Sequence, residues 1–284
     1  MIFNPAAAHG RSREVLGVAR AELERTGANY RVVESRDLDH ARAEAKAAAA
    51  AGETIVAVGG DGLVGCVAGA LRGCSSALAV VPAGRGNDFA RAIGVPFDTA
   101  AAARLALTGD ERLIDVGEVD GSPFVCIASV GLDSDVNRLA SRARLVRGEI
   151  AYFYAALRAL VTWRHAAFEV IADGQTHRVS GYSVAVANSG IYGGGMKLVP
   201  HAELEDGRLD VIMVAEIGKL RFLRTFLKIF KGGHIGHAAV RFVTAETVEV
   251  RADRPFVVWA DGEPIGRLPV TIRVGTRELR VIAP

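Results

Sequence analysis

The sequence predicts an α/β plus β fold, in which a parallel-sheet half is followed by a mostly antiparallel β half. Three observations carry this. The first third alternates short apolar runs with alanine-rich amphipathic segments, the pattern of strands joined by crossover helices. Two of those apolar runs lead straight into glycine-rich turns. Beyond about Asp115 the texture changes to short strands separated by turn residues, with few long helices. A chain of 284 residues suits two domains, or one domain with a large insertion.

Taken in order, Ile2-Phe3 is the stub of a first strand, and Ser12 to Thr26 reads as a helix with Ser12 as its cap and Gly27 as its stop. Tyr30 to Val33 is a second strand. His40 to Ala51 is a helix by alanine propensity, ended by Gly52, and Thr54 to Val58 is a third strand entering Gly59-Gly60-Asp61-Gly62. A helix from Leu63 to Leu71 follows. Leu78 to Val81 is a fourth strand, which enters Pro82-Ala83-Gly84-Arg85-Gly86-Asn87-Asp88, and Phe89 to Ile93 begins another helix. In the second half, Phe168 to Ala172 and Thr176 to Val179 form a hairpin across Asp173-Gly174, because Asp-Gly supplies the positive φ angles of a tight turn. Further strands are Tyr182 to Ala187, Leu209 to Val214, Val240 to Thr244, Val248 to Arg251, Phe256 to Trp259, Val270 to Val274 and Leu279 to Ile282. Two helices interrupt them, Ile150 to Trp163 and Lys219 to Lys231.

Composition narrows the function classes. Half of the residues are hydrophobic and 23% are charged, which excludes a disordered or fibrous chain. A net charge of +2 argues against a nucleic-acid partner, since such partners demand clustered excess basic charge. Cys66, Cys74 and Cys126 are an odd set without C-x-x-C spacing, so neither disulfides nor zinc are expected, and reduced cytosol is the expected compartment. Met1 to Pro5 leads directly into a motif without the features of a secretion signal. The apolar stretch from Ile150 to Val161 is broken by Arg158 and falls short of the roughly 20 residues of a membrane span. Any contact with lipid is therefore expected from outside the bilayer.

The chemistry is concentrated in the two glycine-rich loops. Gly59 to Gly62 ends a strand and starts a helix, where free N–H groups and the helix dipole favour a phosphate. The Pro82 to Arg91 segment follows the next strand, so the two loops read as one nucleotide cradle at adjacent strand ends. A tight structural turn is the competing reading of the first loop.

With these loops the chain resembles the diacylglycerol kinase catalytic-domain family, which includes bacterial lipid kinases and the sphingosine and ceramide kinases. The likeness spans nearly the whole sequence. It rests on Asn4-Pro5 through Gly10, Gly59 to Gly62, Pro82 to Arg91 and Val130-Gly131-Leu132-Asp133. It continues through Asn188 to Met196, Pro200 to Asp210 and Asp261-Gly262-Glu263-Pro264. The resemblance implies a nucleotide-binding α/β domain over about residues 1–114, completed by about 268–284, and a lipid-binding β-sandwich over about 115–267. It implies ATP and Mg²⁺, with Asn4, Pro5, Ala6, Ala7, Ala8, Ser35, Gly59, Gly60, Asp61, Gly62, Leu63, Val64 and Gly65 lining the nucleotide site together with Gly84, Arg85 and Asn87. Glu263 would be the general base. Asp206 would hold a structural magnesium through its side chain, with the backbone carbonyls of Glu203 and Arg208.

These assignments have a physical logic. A lipid alcohol is a poor nucleophile, and a carboxylate in reach of its proton contributes roughly 10² to 10⁴ in rate. Asp61 has two readings, orientation of a magnesium ion on the phosphates or capping of its own helix. Asp261-Gly262 also reads simply as a hairpin turn with Glu263 in solvent, and Asp206 as a plain turn residue. Three departures from the family pattern stand out. Leu63 replaces the usual threonine, and Gly65 and Cys66 replace asparagine and glutamate. Arg85 stands where the second loop usually has threonine, and its guanidinium offers a bidentate clamp for phosphate oxygens.

The resulting expectation is an ATP-dependent lipid kinase, cytoplasmic and peripherally membrane-associated, acting on diacylglycerol or a related lipid. An NAD kinase-like enzyme and a catalytically silent lipid-binding or regulatory protein are the alternatives, the latter motivated by Leu63, Gly65 and Cys66. Arg221, Arg224, Lys228 and Lys231 recur at three- and four-residue intervals opposite Leu220, Leu223, Phe226, Leu227 and Phe230. That face reads either as a lipid-docking surface or as an ordinary solvated one, as does the stretch of Arg138, Arg142, Arg144 and Arg147. His234 and His237 lack a third metal ligand. Ser12, Ser35 and Asp39 are read as helix caps. A homodimer through an exposed edge strand is a further open expectation.

Overall fold

The computed structural model describes residues 1–5, 11–142 and 149–284. The amino-terminal half consists of β1 (Ile2–Phe3), α1 (Arg11–Arg25), β2 (Val33–Glu34), α2 (Leu38–Ala50), β3 (Ile55–Gly59), α3 (Asp61–Leu71), β4 (Leu78–Pro82), α4 (Asp88–Ala92) and α5 (Thr99–Thr108). The remainder comprises β5 (Asp110–Val119), β6 (Ser122–Phe124), β7 (Ile127–Gly131), α6 (Leu132–Arg142), α7 (Glu149–Thr162), β8 (Ala166–Ala172) and β9 (Gln175–Ala187). It continues through β10 (Ile191–Tyr192), β11 (Met196–Lys197), β12 (Leu209–Ala215), α8 (Lys219–Leu227), β13 (Val240–Ala245), β14 (Thr247–Ala252), β15 (Val257–Ala260), β16 (Glu263–Arg267) and β17 (Val270–Ala283).

Strands β2, β1, β3 and β4 lie side by side in that order and are all parallel. The chain moves outward from β1 to β2, then back past β1 to β3 and on to β4. Right-handed crossovers therefore place α1 on one face and α2 and α3 on the other, and α2 packs on α3 while α1 packs on α5. The reversal of direction between β1 and β3 is a topological switch point, where the loops at the strand carboxyl ends splay and leave a crevice. Asn4-Pro5 and Gly60 flank it.

The second half is antiparallel. Strand β9 pairs with β7, β8 and β12, while β8 continues through β14 to β17, and its buried face forms a separate apolar core around Phe168, Tyr182, Val184, Val211 and Val258. Strand β17 belongs to both halves. Its first residues pair antiparallel with β14, and after an irregularity between Gly275 and Leu279 its end pairs parallel with β4, at Val281 and Leu78. The sequence segments Val270 to Val274 and Leu279 to Ile282 are thus one strand. Likewise Thr176 to Val179 and Tyr182 to Ala187 are one strand, continuous through Gly181, whose lack of a side chain lets the Val214 carbonyl approach.

Local signals were mostly legible. Three Asp-Gly pairs, Asp120-Gly121, Asp173-Gly174 and Asp261-Gly262, close two-residue hairpins with both residues at positive φ. The cap assignments are corrected. The side chain of Asp37 caps α2 by accepting the His40 N–H at 2.7 Å, rather than Ser35 or Asp39. Ser12 lies inside α1, with its hydroxyl donating to the Pro5 carbonyl at 3.4 Å. Helix α5, capped by Asp98, had a sequence signal in the alanine run after that residue. The second strand is shorter and later than Tyr30 to Val33, because its partner β1 offers only Ile2 and Phe3, which pair with Val33 and Glu34. Among the described residues no helix is long and apolar enough to cross a membrane.

Fully buried Asp115 ties the halves together. Its carboxylate accepts the N–H groups of Gly207 and Arg277, both at 2.6 Å, and its own N–H donates to the Leu204 carbonyl at 2.7 Å. Replacing it with alanine strands two donors in a buried region. Asp115→Ala is expected to lower stability by about 2–5 kcal/mol, read as a reduced urea midpoint.

Candidate active site

The two glycine-rich loops touch through their backbones. A β-carbon added to Gly60 would lie 2.9 Å from the Gly84 Cα, and one added to Gly84 would lie 2.4 Å from the Gly60 Cα. Only glycine at both positions allows this approach. Strands β3 and β4 deliver the loops in register, with Gly59 opposite Pro82, and the Ala83 N–H continues the pairing to the Gly59 carbonyl at 2.8 Å.

The acidic residue of the first loop holds the second. Asp61 accepts the N–H of Asn87 at 2.8 Å on one carboxylate oxygen and that of Asp88 at 2.6 Å on the other. It therefore caps α4, not its own helix, and neither of its two sequence readings anticipated this. Asn87 sits in the left-handed region at φ 50°, and its side chain both accepts the Gly84 N–H at 2.8 Å and donates to the Gly84 carbonyl at 3.0 Å. Helix α3 itself begins at Gly60 without a side-chain cap. Its first-turn N–H groups and positive dipole end face the crevice, as an anion would require.

Asp88 extends the chain of contacts into the second half. Its buried carboxylate accepts the N–H of Gly194 at 2.9 Å and that of Gly195 at 2.9 Å. Burial, with the neighbouring Asp61 charge assisting, pushes the Asp88 pKa up despite these bonds. Asp88 was not among the site candidates read from the sequence. Its place within the second loop was visible there, but its partner lies more than a hundred residues away.

From the other side, the β15–β16 hairpin presses on α3. Glu263 opens β16 directly after the Asp261-Gly262 turn, and its Oε1 lies 3.6 Å from where a Gly62 β-carbon would be. The turn reading and the base reading of this motif are compatible, since the tight turn is what aims the exposed Glu263 at the start of α3. Asp261 lies equally close to Gly65, with its Oδ2 at 3.6 Å from that residue's would-be β-carbon. Its carboxylate accepts the N–H groups of Val125 at 2.7 Å, Cys126 at 3.0 Å and Ile127 at 3.3 Å. Gly62 and Gly65, about one helical turn apart, face the hairpin at ordinary contact distance.

The unusual residues of α3 serve packing. Leu63 is buried over Gly59, Val64 is turned into the core with its N–H committed to the Gly60 carbonyl at 3.1 Å, and Cys66 donates its thiol to the Leu38 carbonyl at 3.1 Å. Ser35 is buried, with its hydroxyl donating to the Phe3 carbonyl at 3.1 Å, so it locks the ends of β1 and β2. Arg85 is exposed at the rim of the second loop. Asn4 and Pro5 end β1 at the switch point, whereas Ala6, Ala7 and Ala8 lie outside the described residues.

The proposed ion-binding loop stands apart from the crevice elements. Asp206 is exposed, and its Oδ1 accepts the Arg208 N–H at 3.0 Å. Glu203 is exposed beside it. Among the described residues no three His, Cys, Asp or Glu side chains converge as a metal cluster. An ion at this loop would rest on the Asp206 carboxylate, backbone carbonyls and water, an all-oxygen donor set that fits a hard cation. His234 is buried, with its Nε2 2.8 Å from the Leu198 carbonyl, and burial lowers its pKa.

Comparison with known proteins agrees with this architecture. Residues 1–119 match the family model of the diacylglycerol kinase catalytic domain, and residues 126–283 match that of the YegS C-terminal NAD kinase beta sandwich-like domain. A diacylglycerol kinase of Mycobacterium tuberculosis (strain ATCC 25618 / H37Rv) is 33% identical over 292 residues, covering 100% of this chain and 94% of that protein. One from Bacillus subtilis (strain 168) is 29% identical over 293 residues, covering 100% and 95%. A crystal structure of a diacylglycerol kinase from Bacillus anthracis str. Sterne shares the fold, with a TM-score of 0.79 at 22% identity over 100% of this chain and 95% of the other.

Burial pushes the Asp261 pKa up to about 6, with the three N–H bonds opposing and the Asp61 charge assisting. Between about pH 4 and pH 6 the folded state therefore keeps a proton that the unfolded chain has released. The stability that this group contributes is full below pH 4 and is lost as pH rises through 6. Asp261→Asn is expected to flatten that decline in urea unfolding measured from pH 4 to pH 7. A constant offset should accompany it, because the amide nitrogen cannot accept the Val125 N–H.

Proposed function

Since the chain belongs to the diacylglycerol kinase catalytic-domain family, and is on that account a kinase, we propose that it transfers the γ-phosphate of ATP to the hydroxyl of diacylglycerol or a closely related lipid. One observation supports this most strongly: the Glu263 carboxylate stands against Gly62, at the uncapped start of α3. The N–H groups of that helix end bind and orient phosphate oxygens, and Arg85 at the rim adds positive charge. Glu263, beside them, accepts the proton of the lipid hydroxyl as its oxygen attacks the γ-phosphorus and ADP leaves. Phosphoryl transfer is mostly positioning and charge neutralisation, and Mg²⁺ bound with the nucleotide supplies the latter. The Asp206 carboxylate, with the Glu203 and Arg208 carbonyls, would hold a separate structural ion.

A second reading, phosphorylation of NAD, is favoured by the description of the matched carboxy-terminal domain as NAD kinase beta sandwich-like. Labelled ATP incubated with diacylglycerol, monoacylglycerol, sphingosine, ceramide, phosphatidylglycerol and NAD separates the readings. Labelled phosphatidate is the expected product. Label in NAD alone would establish the second reading, and tight lipid binding without any turnover would identify a silent lipid-binding protein.

Glu263→Gln is expected to cut lipid phosphorylation by roughly 10² to 10⁴ while ATP binding stays near the wild-type level. Normal turnover in that variant would remove Glu263 from the base role. Asp206→Ala is expected to abolish any Mg²⁺-dependent rise in melting temperature along with part of the activity. An unchanged Mg²⁺ response would refute the ion site.

A further inference from the structure

Helix α8 is attached to the protein by one side only. Phe222 and Leu223 are half-buried against the sandwich core and Phe226 against the amino-terminal one, and no residue of the helix is fully buried. Leu220 and Leu227, seven residues and two turns apart, lie on one line along the helix and are 64% and 65% exposed. Phe230 and Ile235 follow at 49% and 48%. At the start of α8 the Lys219 ammonium donates to the Val161 carbonyl, which brings exposed Leu157 and Val161 of α7 alongside. Single exposed leucines are ordinary. Six large apolar side chains around one helix form a patch of the kind that marks an interaction surface.

Charge identifies the partner. Lys219, Arg221, Arg224, Lys228 and Lys231 are all exposed, and no Asp or Glu occurs between Glu216 and Glu246. Among the described residues Arg221, Arg224, Lys228 and Lys231 have no carboxylate partner. A helix with such an apolar ridge beside an uncompensated basic face lies in a lipid headgroup layer, the leucines reaching the acyl boundary while the basic ends meet phosphate. We propose that the face formed by α8, the Ile229–Lys231 turn and the outer side of α7 docks the protein on an anionic lipid bilayer.

The location suits the reading of the site on which this docking role rests. Helix α8 starts beside the end of α7 at the far end of the sandwich. It leads into the Ile229–Lys231 turn, which packs on β11 next to the Gly193 to Gly195 turn held by Asp88. Ile229 is buried there and anchors the segment. The docking face thus runs along the sandwich to the rim of the crevice.

The test is co-sedimentation of the full chain with vesicles of phosphatidylglycerol and phosphatidylcholine, against phosphatidylcholine alone, at low and high salt. Binding is expected only to the anionic vesicles and to weaken with salt, because salt screens the attraction between the basic side chains and anionic headgroups. Arg221→Glu/Arg224→Glu should lower binding at least tenfold, and Leu220→Ser/Leu227→Ser should also weaken it. Both variants should phosphorylate a water-soluble short-chain diacylglycerol at the wild-type rate and a long-chain one in vesicles more slowly. Wild-type protein that ignores anionic vesicles, or variants that bind them as wild type does, would overturn the proposal and leave the patch to a protein partner. Salt-sensitive vesicle binding without phosphorylation of any lipid would instead sustain the docking face and overturn the kinase assignment.

Discussion

The architecture depends on aspartate carboxylates that accept main-chain N–H groups from segments remote in sequence. Asp61 grips Asn87 and Asp88, Asp88 grips Gly194 and Gly195, Asp115 grips Gly207 and Arg277, and Asp261 grips Val125 to Ile127. Each is a charge-assisted bond to backbone, roughly twice as strong as a neutral one. Together they place loops that have no regular pairing of their own. The first two act in series, so the position of the Gly193 to Gly195 turn is referred back to the start of α3.

This arrangement has an electrostatic cost that shapes the site. Burial raises the pKa of both Asp88 and Asp261, and the Asp61 charge acts in the same direction. Backbone donors offset part of that penalty, while exposed Arg85 and the helix dipole of α3 supply positive potential at the mouth. The triphosphate of the proposed reaction would need added positive charge there, which Mg²⁺ bound with it would supply.

Strand β17 is the mechanical link between the halves. It leaves the sandwich beside β14 and ends in the parallel sheet beside β4, with Arg72 paired to Glu118 and Glu278 near the irregularity where it changes partners. A second apolar core lies inside the sandwich, while Ile127, Ala185, Ala187 and Ile212 on the other face of its strands join the core of the parallel sheet, so the crevice lies where loops of two units packed on each other meet. Interfaces of this kind are where ligands commonly bind.

The residues by themselves determined the period of each segment, the glycines after β3 and β4, the Asp-Gly hairpins and the basic amphipathic character of α8. These are local properties, set by side-chain volume, φ preference and helical or strand repeat. Tertiary structure decided what each signal was for. The dipeptide Asp-Gly is a hairpin turn at Asp120, Asp173 and Asp261, where both residues take positive φ, but starts a helix at Asp61, where neither does. Leu63, odd by sequence pattern, makes sense only once Gly59 lies against it. Asp88 and Asp115 gained their roles the same way, since a hydrogen bond between residues about a hundred positions apart leaves no local trace and exists only after the chain has folded.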